Sequence, residues 1–538
     1  MRKRLAVMAV IAGLLLSGCN DAGADVIINA DGYEGILASV ESTAATAASI
    51  PPAVSESAYT SGNSDTYNSE YDTRLSENEN SISETEEEQT SSSASEEAAV
   101  TTAEEIVSTE EQTTASTTSE TAETTTSSAA AATTTEAETT AAVTTSVTEE
   151  TTTVSNVPAI EFPTGSNSYR ALNYSEVKGV WISYLELTSI LTGKTESQFT
   201  ASIRQVYDNC VNMGLNTVYV HVRSHGDAYY KSDYYPWSKY VTGTLGQAPS
   251  FDPLTIMIDE AHAVGLSFQA WINPYRLNGT SEMKLVSSDY PTGSWYLSSD
   301  GDRIAAEGSY YYLNPGYAEA NELIAAGAKE IVAKYNVDGI HIDDYFYPTT
   351  DRSFDSKVFA ASGYSSLTSF RTDNCTKMVK TLYNAVKEVN STVLFGIAPQ
   401  GNINNNYDYM YADVKTWCAG SGYIDYIMPQ IYFGFKNSSQ PYEKVLSDWQ
   451  DMVSGTSVKL IPGLGVYKIG NEDSYGGSAG RYEWQTDTEI IKRQIEASES
   501  KANYGGFVLY SYNHVFNPDS NASAKEAEMS AVKNYINY

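Results

Sequence analysis

The chain has 538 residues and a formal charge of −35, from 33 Lys and Arg against 68 Asp and Glu. The charge is unevenly placed: +3 over residues 1–20, −27 over residues 21–165, where 28 acidic residues face one base, Arg74, and −11 over the remainder. A folded part that is itself acidic argues against nucleic acid as a partner, because phosphate backbones demand a basic face.

At the N-terminus, Arg2, Lys3 and Arg4 precede an apolar run from Leu5 to Leu16, followed by Ser17-Gly18-Cys19. The run is too short to span a bilayer, which needs about 20 residues. A basic stretch with a short apolar core reads as a secretory signal. Its Leu-Ser-Gly-Cys ending resembles a bacterial lipobox, which implies cleavage before Cys19 and a diacylglycerol on its sulfur. Residues 1–19 are therefore expected to be a lipoprotein signal. The lipid bilayer would be a partner through that anchor, and the protein would sit on the extracellular face of the bacterial cell membrane.

Residues 20–165 are rich in Thr, Ser, Ala and Glu, with no sustained period of 2 or 3.6. All seven Trp and all five His lie after residue 180, so this stretch lacks the apolar surface needed to offset chain entropy. It is expected to be a disordered linker, spanning roughly 65–70 Å root-mean-square and further if its charges repel. Cys210, Cys375 and Cys418 are odd in number and show no Cys-x-x-Cys spacing, which suits buried apolar residues better than ligands.

From Val177 onward, short β-branched and aromatic runs alternate with helical periodicity. Strands are expected to begin at Val177, Asn216, Leu266, Val337, Val393, Tyr423, Val458 and Gly505. Asp252-Pro253 supplies an N-cap and first-turn pair, and Gly265 a stop, for a helix over 254–264; Gly214 ends another over 197–213, and a last helix lies near 522–537. Eight such units over residues 166–538 fit a (β/α)8 TIM barrel, an α/β fold, better than an open doubly wound sheet, for which no Gly-x-Gly-x-x-Gly fingerprint is present.

In such barrels chemistry sits where strands end and βα loops begin. Those positions carry Trp181, Tyr184 and Glu186; Arg223, His225 and Asp227; Trp271, Asn273, Tyr275 and Arg276; and Asp343-Asp344-Tyr345-Phe346-Tyr347. Later strands add Gln400, Asn402, Gln430, Tyr432, Tyr467, Tyr510 and Tyr512. Sugars present apolar faces that stack on aromatic rings, ringed by hydroxyls that take amide, carboxylate and guanidinium partners; their glycosidic bonds are cut by paired carboxyl groups. Strand alternation places Gly339, His341 and Asp343 on one face, toward the barrel axis. Asp344 begins the loop and either orients Asp343, carries the second catalytic role or caps the next turn. Asp227 either shares in catalysis or pairs with Arg223, and His341 is a substrate contact or a core histidine. Trp271 suits packing or stacking, and Tyr345 and Tyr347 suit stacking. His221 and His225 on a strand lie about 13 Å apart, too far for one metal ion unless the strand ends between them.

The pieces Gly-Val-Trp-Ile-Ser at Trp181, Val-Arg-Ser-His-Gly-Asp-Ala-Tyr-Tyr from Val222, Ser-Phe-Gln-Ala-Trp-Ile-Asn-Pro-Tyr-Arg from Ser267, Tyr-Leu-Asn-Pro-Gly from Tyr312 and Val-Asp-Gly-Ile-His-Ile-Asp-Asp-Tyr-Phe-Tyr-Pro from Val337 resemble the glycosyl hydrolase-like 10 family, in order over roughly residues 175–515. The resemblance implies a glycosidase-type barrel of secreted and lipid-anchored bacterial proteins, some of which cut peptidoglycan glycan strands stripped of their peptides. The motif ending at Asp343 also resembles the Asp-Gly-x-x-x-Asp turn of the α-amylase clan, whose last Asp is the nucleophile. His341 stands where that clan has arginine, and no Glu ends the fifth strand, so the second carboxylate is open among Asp344, Asp227, Glu186 and Glu307.

These readings converge on a glycoside hydrolase acting on a polysaccharide, with Asp343 as principal carboxylate and Asp344 or Asp227 as its partner. Arg223, His225, Trp271, Asn273, Arg276, His341, Tyr345, Gln430 and Tyr432 would bind sugar, and no cofactor or metal is expected. The rivals are a surface glycan-binding lipoprotein without activity and a metal-dependent polysaccharide deacetylase.

Overall fold

The computed structural model describes residues 160–298 and 302–537. The signal, the lipidation residue Cys19 and nearly all of the expected linker lie outside the described residues.

Twelve strands form among these residues: β1 (Val177–Ile182), β2 (Thr217–Arg223), β3 (Ser267–Ile272), β4 (Arg276–Gly279), β5 (Ile304–Glu307), β6 (Tyr310–Leu313), β7 (Gly339–Ile342), β8 (Leu394–Ile397), β9 (Tyr426–Ile427), β10 (Lys459–Leu460), β11 (Gly463–Gly465) and β12 (Gly506–Tyr510). Nine form one parallel sheet, in the order β10-β9-β8-β7-β3-β2-β1-β12-β11. Its two ends are one extended segment: β10 pairs with β9, β11 pairs with β12, and only Ile461 and Pro462 lie between them. Ile461 N donates to Ile427 O and Val508 N to Pro462 O, so the segment is bonded on both sides and the sheet closes on itself. The result is a parallel barrel of eight strand positions, beginning within a few residues of those expected.

The principal outer helices are α1 (Tyr184–Leu191), α2 (Glu196–Met213), α3 (Pro253–Ala263), α4 (Ala318–Lys334), α5 (Leu367–Val389), α6 (Val414–Ala419), α7 (Tyr442–Val453), α8 (Ile490–Glu499) and α9 (Ala522–Ile536). Their ends follow local chemistry. Asp252 accepts from Leu254 N at 3.0 Å and Thr255 N at 3.3 Å ahead of Pro253, and Gly214 closes α2 in the left-handed region at φ 98°.

One element was not foreseen. Between β3 and α4 the chain builds a small antiparallel sheet, β4-β6-β5, beside the barrel mouth. Its strands are four residues each and carry no clear alternation, so their periodic signal is weak.

Inside the barrel an aromatic layer fills the axis. Trp181, Tyr219, Trp271 and Tyr426 pack together with Met428, Ile461 and Val508. His341 is fully buried in this layer: its Nε2 accepts from Trp181 Nε1 at 3.2 Å and its Nδ1 meets Tyr426 Oη at 3.0 Å. Trp181 can only donate, so Nδ1 carries the proton and the ring is neutral. Burial holds its pKa down to about 3. Gly396 is required here, because a Cβ at that position would meet the Tyr426 ring at 2.2 Å.

The opposite end is strapped by residues 160–176. Tyr169 Oη and Leu172 N donate to Asp338 Oδ1, at 2.7 and 2.5 Å, and Asn167 bonds to Val332 O and Tyr335 O.

Candidate active site

Asp343 follows β7 directly and is 3% exposed. Trp271 Nε1 donates to its Oδ2 at 3.0 Å, and Tyr345 N reaches Oδ1 at 3.3 Å. Burial, then the neighbouring Asp344 carboxylate, push its pKa up to about 8, against a smaller downward pull from the Arg276 guanidinium. Both causes favour the protonated form of Asp343. Asp344 leans the other way, accepting from Gln430 Nε2 at 3.2 Å; the same amide nitrogen donates to Ala398 O at 3.0 Å.

Trp271 is itself fixed. Its indole stacks on the His221 imidazole with centroids 3.4 Å apart, and His221 Nε2 bonds to Asn273 Oδ1 at 3.0 Å while Nδ1 accepts from Tyr184 N. Asn273 Nδ2 and Arg276 Nε both donate to Ser224 O, at 3.0 and 3.2 Å. The Arg276 guanidinium lies over the Tyr345 ring, 4.4 Å from its centroid. Across the mouth, Tyr432 packs against Tyr467 and Tyr510, with centroids 5.6 and 5.8 Å away. Burial raises its phenol above the usual range, and the neighbouring Tyr510 and Tyr467 add to that shift.

The structure thus brings together Asp343, Asp344, Trp271, Asn273, Arg276, Tyr345, Gln430 and Tyr432. Several expectations need correction. Arg223, taken for a sugar contact, faces outward: the β2–β3 register shifts between His221 and Arg223, and this bulge turns the guanidinium onto the Tyr235 ring at 4.5 Å and against Gly327 of α4, where a Cβ would meet Nη1 at 2.6 Å. Asp227, offered as a catalytic partner, instead clasps its own loop, its Oδ1 accepting from Ser224 N at 3.1 Å and His225 N at 2.8 Å. His341 lies in the barrel core with both nitrogens committed, which leaves nothing for substrate. Trp271, 2% exposed, holds Asp343 instead of offering a face to sugar. Tyr347 is buried against Arg371 and Tyr411.

His225 stands to one side, among Tyr184, Tyr240 and Tyr310 at 5.0 to 5.6 Å, with Nδ1 2.9 Å from Ser224 Oγ and a buried Nε2 that has no hydrogen-bond partner among the described residues. Of the other carboxylates considered, Glu186 accepts from Ser183 N, Ser511 Oγ and Asn513 N, tying α1 to the end of β12. Glu307 sits at the tip of the β5–β6 hairpin, on the strand that β6 separates from β4. Among the described residues, no three His, Cys, Asp or Glu side chains gather closely enough to hold a metal ion.

Sequence reasoning missed the second tier: the His221 stack, the Ser224 carbonyl as a shared acceptor, and the β2 bulge. Alternation from Tyr219 does place His221 inward, beside Trp271 on the next strand, and that was the available signal.

A closed parallel barrel with a buried aspartate pair and aromatic rings at the carboxyl ends of its strands defines a glycosidase-type barrel protein. Residues 176–476 match the family described as Glycosyl hydrolase-like 10, and the chain belongs to that family. The glycosyl hydrolase YngK of Bacillus subtilis (strain 168) is 33% identical over 325 residues, covering 55% of this chain and 62% of that protein. This chain therefore spans less than two thirds of that relative's length. The glycosyl hydrolase DigH of Escherichia coli (strain K12) is 29% identical over 355 residues, 61% of this chain and 79% of that one. Among solved structures, the PgaB (BpsB) glycoside hydrolase domain from Bordetella bronchiseptica aligns at 12% identity with a TM-score of 0.43, over 66% of this chain and 99% of that one.

Proposed function

We propose that the chain is a glycoside hydrolase in which Asp343 is the general acid and Asp344 the second carboxylate. The observation that carries this reading is a buried carboxyl with a single firm donor, at the strand end of a glycosidase-type barrel, beside a second carboxylate. Trp271 occupies Oδ2 of Asp343, so Oδ1, only weakly held by the Tyr345 N–H, is the oxygen that bears the proton. Protonation of a leaving glycosidic oxygen by such a group contributes roughly 10²–10⁴-fold. Arg276, Tyr345 and Tyr432 would line the sugar, and Asn273, Trp271 and Gln430 hold the residues that touch it.

The substrate proposed first is peptide-free peptidoglycan glycan, and second an environmental polysaccharide. Cys19 and the acidic stretch after it support a lipid-anchored protein on the outer face of the cell membrane, tethered at a distance. A second reading, glycan binding without cleavage, is favoured by one observation: β8 runs out into Ala398-Pro399-Gln400, with no carboxylate.

The test is to incubate the purified chain with both glycans and read products by mass and new reducing ends. Cleavage that falls about 10²–10⁴-fold in Asp343→Asn is expected. Glycan retained on the protein with no new reducing ends would replace the hydrolase by the binding protein.

A further inference from the structure

We infer that the site cuts glycosides of 2-acetamido sugars with the sugar's own acetamide oxygen as nucleophile, Asp343 serving as acid and Asp344 orienting the acetamide. The inference rests on the hydrolase reading above and extends it to the mechanism and the sugar class.

It begins with where the carboxylates stand. A retaining enzyme of the ordinary kind places its nucleophile and acid on opposite sides of the anomeric carbon, about 5–5.5 Å apart; an inverting one separates its two carboxyls by about 6.5–9.5 Å, with water between. Asp343 and Asp344 are consecutive residues at the end of one strand. They diverge along one wall, the first held by Trp271 of β3 and the second by Gln430 beyond β9. Two of the other candidates are committed elsewhere, Asp227 to the turn of its own loop and Glu186 to three donors, and Glu307 stands apart on the β5–β6 hairpin, paired with Tyr310, where its role is open to test. One wall can set an acid at the leaving oxygen and a second carboxylate beside the neighbouring C2 substituent. It does not supply a nucleophile from the opposite face.

An acetamide on C2 supplies that nucleophile from within the substrate, where effective molarities reach about 10⁵–10⁸ M. Asp343 gives its proton to the glycosidic oxygen, which leaves with the electron pair of the C1–O bond. The acetamide carbonyl oxygen donates a lone pair to C1 from the opposite face, forming a bicyclic oxazolinium ion. Asp344 accepts the acetamide N–H and stabilises the positive charge. Tyr432, protonated and close to both carboxylates, has an O–H to offer the acetamide oxygen. Asp343, now a carboxylate, takes a proton from water as that water's oxygen attacks C1; the C1–O bond of the ring breaks and the acetamide is restored. One water is consumed, Asp343 regains its proton, and the anomeric configuration is retained.

The test compares peptide-free peptidoglycan strands with the same strands after chemical removal of the 2-acetyl groups, using the full chain. Expected are a rate at least about 100-fold lower on the de-N-acetylated strands, products of retained configuration by NMR, and inhibition by the thiazoline of N-acetylglucosamine. Asp344→Asn should lose at least about 100-fold in kcat, with KM little changed. Inverted products, equal cutting of both strands, a 2-fluoro sugar trapped as an ester on either aspartate, or Glu307→Gln losing as much as Asp343→Asn would overturn the inference and leave the hydrolase standing. If neither strand is cut, the hydrolase reading falls, and this one with it.

Discussion

The two ends of β7 carry the same residue in opposite surroundings. Asp338 immediately precedes the strand and Asp343 immediately follows it, and both are buried. Asp338 receives four donors: Tyr169 Oη and Leu172 N on Oδ1, His262 Nε2 at 2.8 Å and Phe268 N at 2.7 Å on Oδ2. Asp343 receives one firm donor from Trp271 and a long one from Tyr345, with Asp344 pressing against it. A carboxylate whose lone pairs are filled by protein donors is structural. One left short of donors in a dry site keeps its proton and is available for chemistry.

The largest expected effect is that the two aspartates respond oppositely in stability. Asp338→Ala removes the anchor shared by the strap, α3 and β3 and strands several buried donors, which should cost about 3–5 kcal/mol by chemical denaturation. Asp343→Asn should do the reverse. Its folded pKa lies above the unfolded value, so protonation favours the fold; that contribution is complete below the unfolded carboxylate range and is lost as pH rises through about 8. The neutral amide escapes this loss, and the variant should be more stable than the parent at pH 8–9, by roughly 1–3 kcal/mol. If both variants destabilise equally at that pH, donor count does not separate the two ends.

A smaller effect tests the single firm donor. Trp271→Phe removes the N–H that favours ionised Asp343, so the pKa of the acid should rise further. The alkaline limb of the activity profile, expected near pH 8 in the parent because the acid loses its proton there, should move upward. The rate near pH 7 should fall about 10-fold or more, the loss expected for a hydrogen bond of roughly 1.5–3 kcal/mol to a charged group. A limb that stays in place would mean that another group titrates.

How much of this was readable beforehand follows from how local each signal is. The eight strands are legible as β-branched and aromatic runs, and the closure segment is legible even with a proline inside it, because Val458–Leu464 is apolar apart from Lys459. Strand alternation alone aimed Asp343 and His341 inward. It did not reveal that His341 has Trp181 and Tyr426 waiting for both nitrogens, since those partners come from β1 and β9, 160 and 85 residues away. Nor does composition tell a turn-building Asp227 from a catalytic one; that distinction lies in two backbone N–H groups of its own loop. Position alone misleads at Arg223, which ends β2 at the mouth but is turned outward by the bulge after His221.

That bulge yields the smallest expected effect and the sharpest limit on the comparison. Arg223 ends β2 at the mouth, so position along the barrel would class it with Asp343. Its guanidinium instead lies outside the strand ring, over Tyr235, with Nη1 and Nη2 lacking hydrogen-bond partners among the described residues. Arg223→Met keeps the volume, removes a poorly compensated buried charge and leaves the mouth unaltered. Glycan cleavage should stay within about 3-fold of the parent, and stability should be unchanged or higher by about 1 kcal/mol. Lysine at the same position would be worse tolerated than methionine, because its ammonium is more strongly hydrated and lacks the plane that stacks on Tyr235. Loss of glycan binding in a folded Arg223→Met would mean that the guanidinium reaches the substrate after all, and that nearness to the mouth, not the supply of donors around a side chain, decides which residues act.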